Sequence, residues 1–275
     1  MRNAEKEADA STDEIMKPGH LLIACLHERG GAMGEIYIKG NFDLYSIRRS
    51  VNEVEEEFQP TACKSPLFHR YVTKEIDEIM ELATRYMDGY NQIYMNEGHL
   101  LKALIVTHSI EELITTKQQR LLLNLGTTSR DMIVHLETYK KPDIHLNIRR
   151  AKSNDRDQLI QFVRDYFSEE WANTINEGLL KDKPSIYIAF NEVNNVSGFA
   201  AFDVYKGKKN YFGPMGVLSG ERTKGIGFSL LHSCLSEMKE IGYGYAIIGG
   251  AGPLEFYETV CNAVVIPYPY EEWDG

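Results

Sequence analysis

The sequence predicts an α+β protein in two parts. An all-α duplicated helical bundle comes first, and a mixed α/β region built on a central twisted sheet follows. Three observations carry this prediction. Pro18-Gly-His-Leu-Leu-Ile-Ala-Cys-Leu26 recurs as Glu97-Gly-His-Leu-Leu-Lys-Ala-Leu-Ile105 at an offset of 79, with Gly, His, Leu, Leu and Ala identical, and such self-similarity marks a repeat. From Ile144 onward, runs of period 2 alternate with runs of helical spacing. Within that second part, an apolar β-prone segment ends in a glycine-rich turn that opens an amphipathic helix.

In the first copy of the repeat Leu21, Leu22, Ala24 and Cys25 fall on one helical face, as do Leu100, Leu101, Ala103 and Leu104 in the second. Pro18 suits the first helical position and Asn96 suits the N-cap. Farther on, Gly40 and Ile47 correspond to Gly126 and Ile133 at an offset of 86, so the second copy carries about seven extra residues (86 − 79). Upstream, Ala4 falls opposite Ala83, at the end of a long helix expected over 68–88. One copy alone closes no core easily, so the two are expected to pack as a pseudo-twofold pair. His20 and His99 recur as a symmetric pair. Two readings stand: local hydrogen bonding at the helix start, or metal or catalytic use, for which no carboxylate or cysteine stands at suitable spacing.

Composition bounds the function. The chain has 275 residues, 43% of them hydrophobic and 25% charged, as in a soluble globular protein. No apolar run approaches the ~20 residues of a membrane helix. The charged opening MRNAEKEADASTDE has no apolar core of a signal peptide, so the expected location is cytoplasmic. Net charge is −10 from 40 acidic and 30 basic residues, and neither half is basic, so no nucleic-acid partner is expected. Cys25, Cys63, Cys234 and Cys261 form no CxxC, and the eight histidines form no HExxH or Cys/His cluster. No metal site and no structural disulfide are expected.

The duplicated G/E-H-L-L-x-A-x-L pattern resembles the N-terminal domain of Clp chaperones over roughly residues 1–140. That resemblance implies a helical domain that docks a protein, or a structural and self-associating part. No G-x-x-x-x-G-K-[ST] run occurs, so ATP-driven unfolding is not expected. The polar stretch Thr138-Tyr-Lys-Lys-Pro-Asp143 reads as the break between domains 1–141 and 142–275.

In the second domain a strand is expected over 144–150, with Ile144, Leu146 and Ile148 on one face. A helix with Leu159, Ile160, Phe162 and Val163 follows, then a helical region over 169–183. Strands are read at 185–190 and 196–204 around a polar turn. The central strand, 211–218, ends at a Ser-Gly turn. Arg222-Thr-Lys-Gly225-Ile-Gly227 comes next, and 228–241 is an amphipathic helix with Leu230, Leu231, Cys234, Leu235 and Met238 on its apolar face. A strand over 243–248, a helix through Phe256-Tyr257-Glu258 and a last strand over 263–266 complete the order β-α-α-β-β-β-α-β-α-β.

Glycines at a strand-to-helix turn let a ligand approach unpartnered N–H groups at the positive end of a helix, which favours a phosphate. The competing reading is an ordinary strand–turn–helix. The order of elements, with Arg222, Gly225 and Gly227 matching R/Q-x-x-G-x-G/A and Phe256-Tyr257-Glu258 matching F/L-Y-E, resembles the GNAT superfamily of N-acetyltransferases over about residues 144–269. The resemblance implies that acetyl-CoA is the co-substrate and a primary amine of a small molecule or protein the acceptor. It further implies that Arg222, Thr223, Lys224, Gly225, Ile226, Gly227 and Phe228 hold the pyrophosphate, that Met215, Gly216 and Val217 line the pantetheine arm, and that Tyr257 donates a proton to the leaving thiolate. A core aromatic is the other reading of Tyr257. For the general base Glu169, Glu170, Asp203 and Glu221 are all open. Thr223 stands where the family usually has Gly, Asn262 replaces a closing Gly, and no Asn follows the second strand in Gly249–Gly252. Tyr268, Tyr270 and Trp273 form an aromatic tail that either covers a pocket or packs. The alternative function is a non-catalytic CoA binder whose helical half docks a partner.

Overall fold

Pro18 and Asn96 begin the two helices that carry the repeat, and both start as the sequence requires. Pro18 is the first residue of helix α2 (Pro18–His27), and Asn96 caps α6 (Glu97–Val106), its side chain accepting the His99 N–H at 3.1 Å. His20 and His99 do the same local work in both copies. Lys17 N–H donates to His20 Nδ1 at 3.0 Å and Asn96 N–H donates to His99 Nδ1 at 3.1 Å, satisfying a donor at the helix start that has no partner within the helix. In this computed structural model the described residues are 1–10, 15–53, 62–90, 92–144, 146–222 and 224–268. Tyr270 and Trp273 of the tail, and Thr223, lie outside them.

The chain forms two compact units, 1–129 with 267–275, and 130–266. In the first, α1 (Arg2–Asp9), α2, α3 (Gly31–Gly40) and α4 (Leu44–Asn52) make up one copy. The second copy has α5 (Lys74–Gly89), α6 and α7 (Thr116–Gly126). Leu21, Leu22, Leu26, Leu101 and Leu104 are buried in one shared core, so neither copy closes its core alone. The long helix expected over 68–88 begins only at Lys74. Tyr71-Val-Thr73 is instead strand β2, paired antiparallel with β1 (Ala62–Lys64), because aromatic and β-branched side chains favour the pleated conformation.

The second unit is a seven-stranded sheet in the order β4-β5-β6-β7-β8-β3-β9. The strands are β3 (Arg130–His135), β4 (Ile148–Arg150), β5 (Ile186–Phe190), β6 (Val196–Phe202), β7 (Tyr211–Val217), β8 (Tyr245–Ala251) and β9 (Val264–Val265). Its helices are α8 (Arg156–Tyr166), α9 (Glu169–Leu179), α10 (Ile226–Ile241) and α11 (Leu254–Cys261). Helices α8 and α9 share a core with Ile188, Phe199 and Ala201 on one face. On the other face α10 and α11 share a core with Ala200, Phe212 and Ile248. From Ile148 on, the element order is the expected one.

The unit's first strand, however, starts upstream of the expected break. β3 lies between β8 and β9 and pairs antiparallel with both. Met132, Val134 and Leu136 alternate into the α10–α11 core. The polar stretch over 138–143 is therefore a connection inside this unit, and the division falls at Ser129/Arg130. At the other end Pro267 and Tyr268 belong with the helices: Tyr268 N–H donates to Glu35 at 3.1 Å and Lys39 Nζ donates to the Tyr268 carbonyl at 2.8 Å. The strand expected over 144–150 shortens to Ile148–Arg150, which is the stretch that finds partners on β5 at Tyr187–Ala189.

Candidate active site

Among the described residues β7 and β8 are the one parallel pair in the sheet, and their pairing ends after Tyr211↔Ile247 and Phe212↔Ile248. Beyond Phe212 the two strands part. On its other side β7 stays paired with β6 through Met215↔Ala200, Gly216↔Phe199 and Val217↔Gly198. Leu218 N–H donates to the Ser197 carbonyl at 3.0 Å, so by strand alternation Gly216 turns its main chain toward β6. Met215 and Val217 turn theirs into the cleft. Arg222 Nε reaches the Val217 carbonyl there at 3.2 Å. Gly216 admits no side chain, since a Cβ would lie 2.5 Å from the Phe167 ring. Met215 packs on the α10 side.

After β7, a short turn over Ser219–Glu221 leads to Gly225, which caps α10 at φ +78° with open space around it. That left-handed conformation is cheap only for glycine. The first helical bond runs from Ser229 N–H to the Gly225 carbonyl at 3.0 Å. Among the described residues the N–H groups of Ile226, Gly227 and Phe228 have no helical partner one turn back, and at a helix start such groups point outward. Gly227 sits against Phe256 and Val217, with a Cβ meeting them at 3.5 and 3.8 Å. Burial holds the Arg222 guanidinium below its ordinary pKa, and Lys224 is paired with Glu221 at 2.9 Å. α10 buries eleven residues along its length and ends at Gly242, again left-handed, so its start is held rigidly.

Tyr257 lies on α11 at 7% exposure. Its ring meets Phe212, the last β7 residue paired with β8, edge-on at 6.4 Å between centroids. Burial is the main cause that pushes its phenol above the ordinary range, so it stays protonated at neutral pH. The cleft thus runs along β7, from Phe212 with Tyr257 beside it near the strand's start to Val217, beyond which the glycine-capped helix begins.

The four carboxylates considered as bases fare differently. Glu169 is paired with Arg164 at 2.6 Å and Glu221 with Lys224, and Glu170 is exposed. Asp203 accepts from the Tyr243 hydroxyl at 2.6 Å and lies beside Tyr211, where β7 begins. Of the four, Asp203 alone stands beside β7, at Tyr211.

Sequence reasoning missed two residues there. The sequence sets Tyr211 only at the start of a strand and Asp131 in the helical domain. The alternation of Met132, Val134 and Leu136 was the available signal. Among the described residues no group of three or more His, Cys, Asp or Glu is arranged to hold a metal, and no helix is long and apolar enough to cross a membrane.

Residues 1–118 match the Clp repeat (R) N-terminal domain, and residues 152–259 match the acetyltransferase (GNAT) family. A search of curated proteins finds no match. Solved structures similar to the chain include a GCN5-related N-acetyltransferase from Sphaerobacter thermophilus, at 18% identity and TM-score 0.42, covering 72% of this chain and 68% of that one. Another is the GNAT-family protein YhbS from Escherichia coli in complex with CoA, at 20% identity and TM-score 0.30, covering 38% and 62%. A third is the GCN5-related glucosamine N-acetyltransferase region of a fungal multi-domain β-N-acetylglucosaminidase, at 17% identity and TM-score 0.44, covering 55% and 22%. The chain spans 22%, 48%, 62% and 59% of the first four structures it matches.

Proposed function

We propose that this chain, a Clp repeat domain joined to a GNAT acetyltransferase domain, moves an acetyl group from acetyl-CoA directly to a primary amine. The observation that supports this reading is the parting of β7 and β8 beside a glycine-capped helix start. An elongated thiol ester with a pyrophosphate at one end fits those two features together. The N–H groups of Ile226, Gly227 and Phe228 would hold the pyrophosphate, with Arg222 and Lys224 adding charge-assisted contacts. The main chain of Met215 and Val217 would bond the extended arm as a neighbouring strand does, with Gly216 keeping the strand flat. Acetyl-CoA supplies the activated thioester. The Met215 N–H, fixed in the cleft, suits charge that develops on a carbonyl oxygen.

Tyr257 is read as the proton donor to the departing sulfur. A thiol's pKa of about 8.5 makes that proton useful at neutral pH, and a phenol held neutral by burial has it to give. The Clp repeat domain is a protein-interaction domain, and its role here is read as docking a protein partner or a second copy.

Calorimetric titration of the full chain with acetyl-CoA tests the reading, with Gly225→Asp as the control. That substitution places a side chain and a negative charge at the left-handed cap. Micromolar binding by the wild type, weakened at least about tenfold in the variant, is expected. No binding at millimolar acetyl-CoA sinks the proposal.

A further inference from the structure

β3 delivers a carboxylate to the point where the strands part. The register shift between the pairs Arg130↔Ala251 and Met132↔Ile248 puts the extra residue on β8, so Asp131 faces both Gly249 and Gly250, and such bulges re-aim the groups around them. Gly250 N–H donates to Asp131 Oδ1 at 2.7 Å. Gly250 itself is left-handed at φ +56°, so the strand turns its amide toward the carboxylate. Among the described residues no ion pair engages Asp131.

Tyr211 comes to the same place from the other side of the cleft. Its hydroxyl lies over the Gly249 backbone, where a Cβ would come within 1.8 Å of it. Only a glycine makes room for the ring there. Tyr211 precedes Phe212, so strand alternation puts the two rings on opposite faces of the sheet. Phe212 carries Tyr257 on the α10–α11 face. The phenol of Tyr211 and the carboxylate of Asp131 therefore occupy the opposite face at the last β7–β8 pair.

We infer that Asp131 and Tyr211 receive the acceptor's amine and take the proton it loses, on the face opposite Tyr257. This rests on the acetyl-transfer reading above and names the acceptor's side of the same site. The nitrogen attacks the thioester carbon, a C–N bond forms, and the C–S bond breaks. Sulfur takes the Tyr257 proton. The proton leaving nitrogen passes to the Tyr211 oxygen as Tyr211 hands its own to the Asp131 carboxylate. Asp131 then releases a proton to solvent and Tyr257 regains one, so the net transfer is one proton from nitrogen to sulfur.

The surroundings suit a relay. Burial first, then the Asp131 charge, raises the Tyr211 phenol, which keeps its proton until it is exchanged. Tyr205 stacks on Tyr211 at 5.6 Å and Lys208 Nζ lies 4.5 Å from the Tyr211 ring. On its own strand Asp131 follows Arg130, whose guanidinium donates to the Ile266 carbonyl at 3.0 Å.

The test uses Asp131→Asn and Tyr211→Phe in the full chain, with n-butylamine and tryptamine as probe amines. Acetyl-CoA binding is measured by calorimetry, and kcat and KM by release of CoA thiol across pH. The inference expects acetyl-CoA affinity within twofold of wild type in both variants. It expects kcat down about a hundredfold in Asp131→Asn, at the lower end of what a positioned proton acceptor contributes, and about tenfold, just below that range, in Tyr211→Phe. The acidic limb of the wild-type kcat profile should flatten in Asp131→Asn. Unchanged kcat and an unchanged profile overturn it. So does a parallel loss of acetyl-CoA binding, which would make the pair structural. A wild type that binds acetyl-CoA yet acetylates neither probe also overturns the amine-receiving role. A wild type that binds no acetyl-CoA fails earlier, at the acetyl-transfer reading itself.

Discussion

Residues 44–52 and 130–138 stand at the same place in the two copies of the repeat, yet one is a helix and the other begins a strand. Ile47 of α4 corresponds to Ile133 of β3 at the offset of 86. The first segment has a helix signal at its start: Asp43 accepts from Tyr45 N–H at 3.1 Å and Ser46 N–H at 3.2 Å. α4 is then tied to α1, where Arg48 Nε donates to Glu7 at 2.7 Å. In the second copy Asp43 becomes Ser129, and Arg48 becomes Val134. With the ion pair gone, Met132, Val134 and Leu136 alternate at the period of a strand with one buried face. A repeat fixes where an element stands in the chain. Its own periodicity decides what that element becomes.

Three changes would break or sharpen the contrast. The largest effect is expected from Val134→Asp, which buries a charge at a position 2% exposed. A loss of about 3 kcal/mol or more, read by urea denaturation, should come with loss of acetyl-CoA binding. Retained binding would show that β3 is dispensable to the sheet. Next, Ile47→Ala removes a side chain buried in the helical core and should cost about 2–4 kcal/mol. Acetyl-CoA affinity should stay at the wild-type value, and a matching loss of affinity would count against α4 serving the helical unit alone.

The smallest effect belongs to the ion pair. The Arg48 guanidinium beside Glu7 holds its carboxyl below the ordinary range. Because the folded-state value is the lower one, the stabilisation is present above the unfolded carboxylate's pKa and is lost as pH falls through the lowered value. The pair is partly exposed, so screening keeps its worth below about 1 kcal/mol. Urea midpoints at about pH 6 and about pH 3 should differ less in Glu7→Gln than in the wild type. An equal difference would show that the pair contributes nothing.

Much of this was legible in the sequence because the relevant signals were local. α2 and α6 announce themselves by a shared motif with its caps, and β7 with α10 by a glycine turn between a period-2 run and a helical face. What was missed depended on partners far along the chain. Tyr71-Val-Thr73 carries too few residues to declare a strand without Ala62–Lys64 beside it. β3 was hidden because the repeat suggested a helical counterpart for a segment that pairs with Tyr245–Ala251, more than a hundred residues later. Asp131 followed β3 into the wrong half. Its place beside Gly250 rests on a bulge, whose mark in the sequence, Gly249-Gly250, reads equally well as a turn.

The sheet's ordering has one more consequence. β3 opens the second unit, β9 closes it, and the two are paired at Met132↔Val265 and Ile133↔Val264. The segment 130–266 therefore begins and finishes on neighbouring strands, about 5 Å apart. A module whose two ends meet can be lifted out or spliced into a surface loop of another scaffold without stretching its host. In this chain residues assigned to the first unit flank it in sequence on both sides.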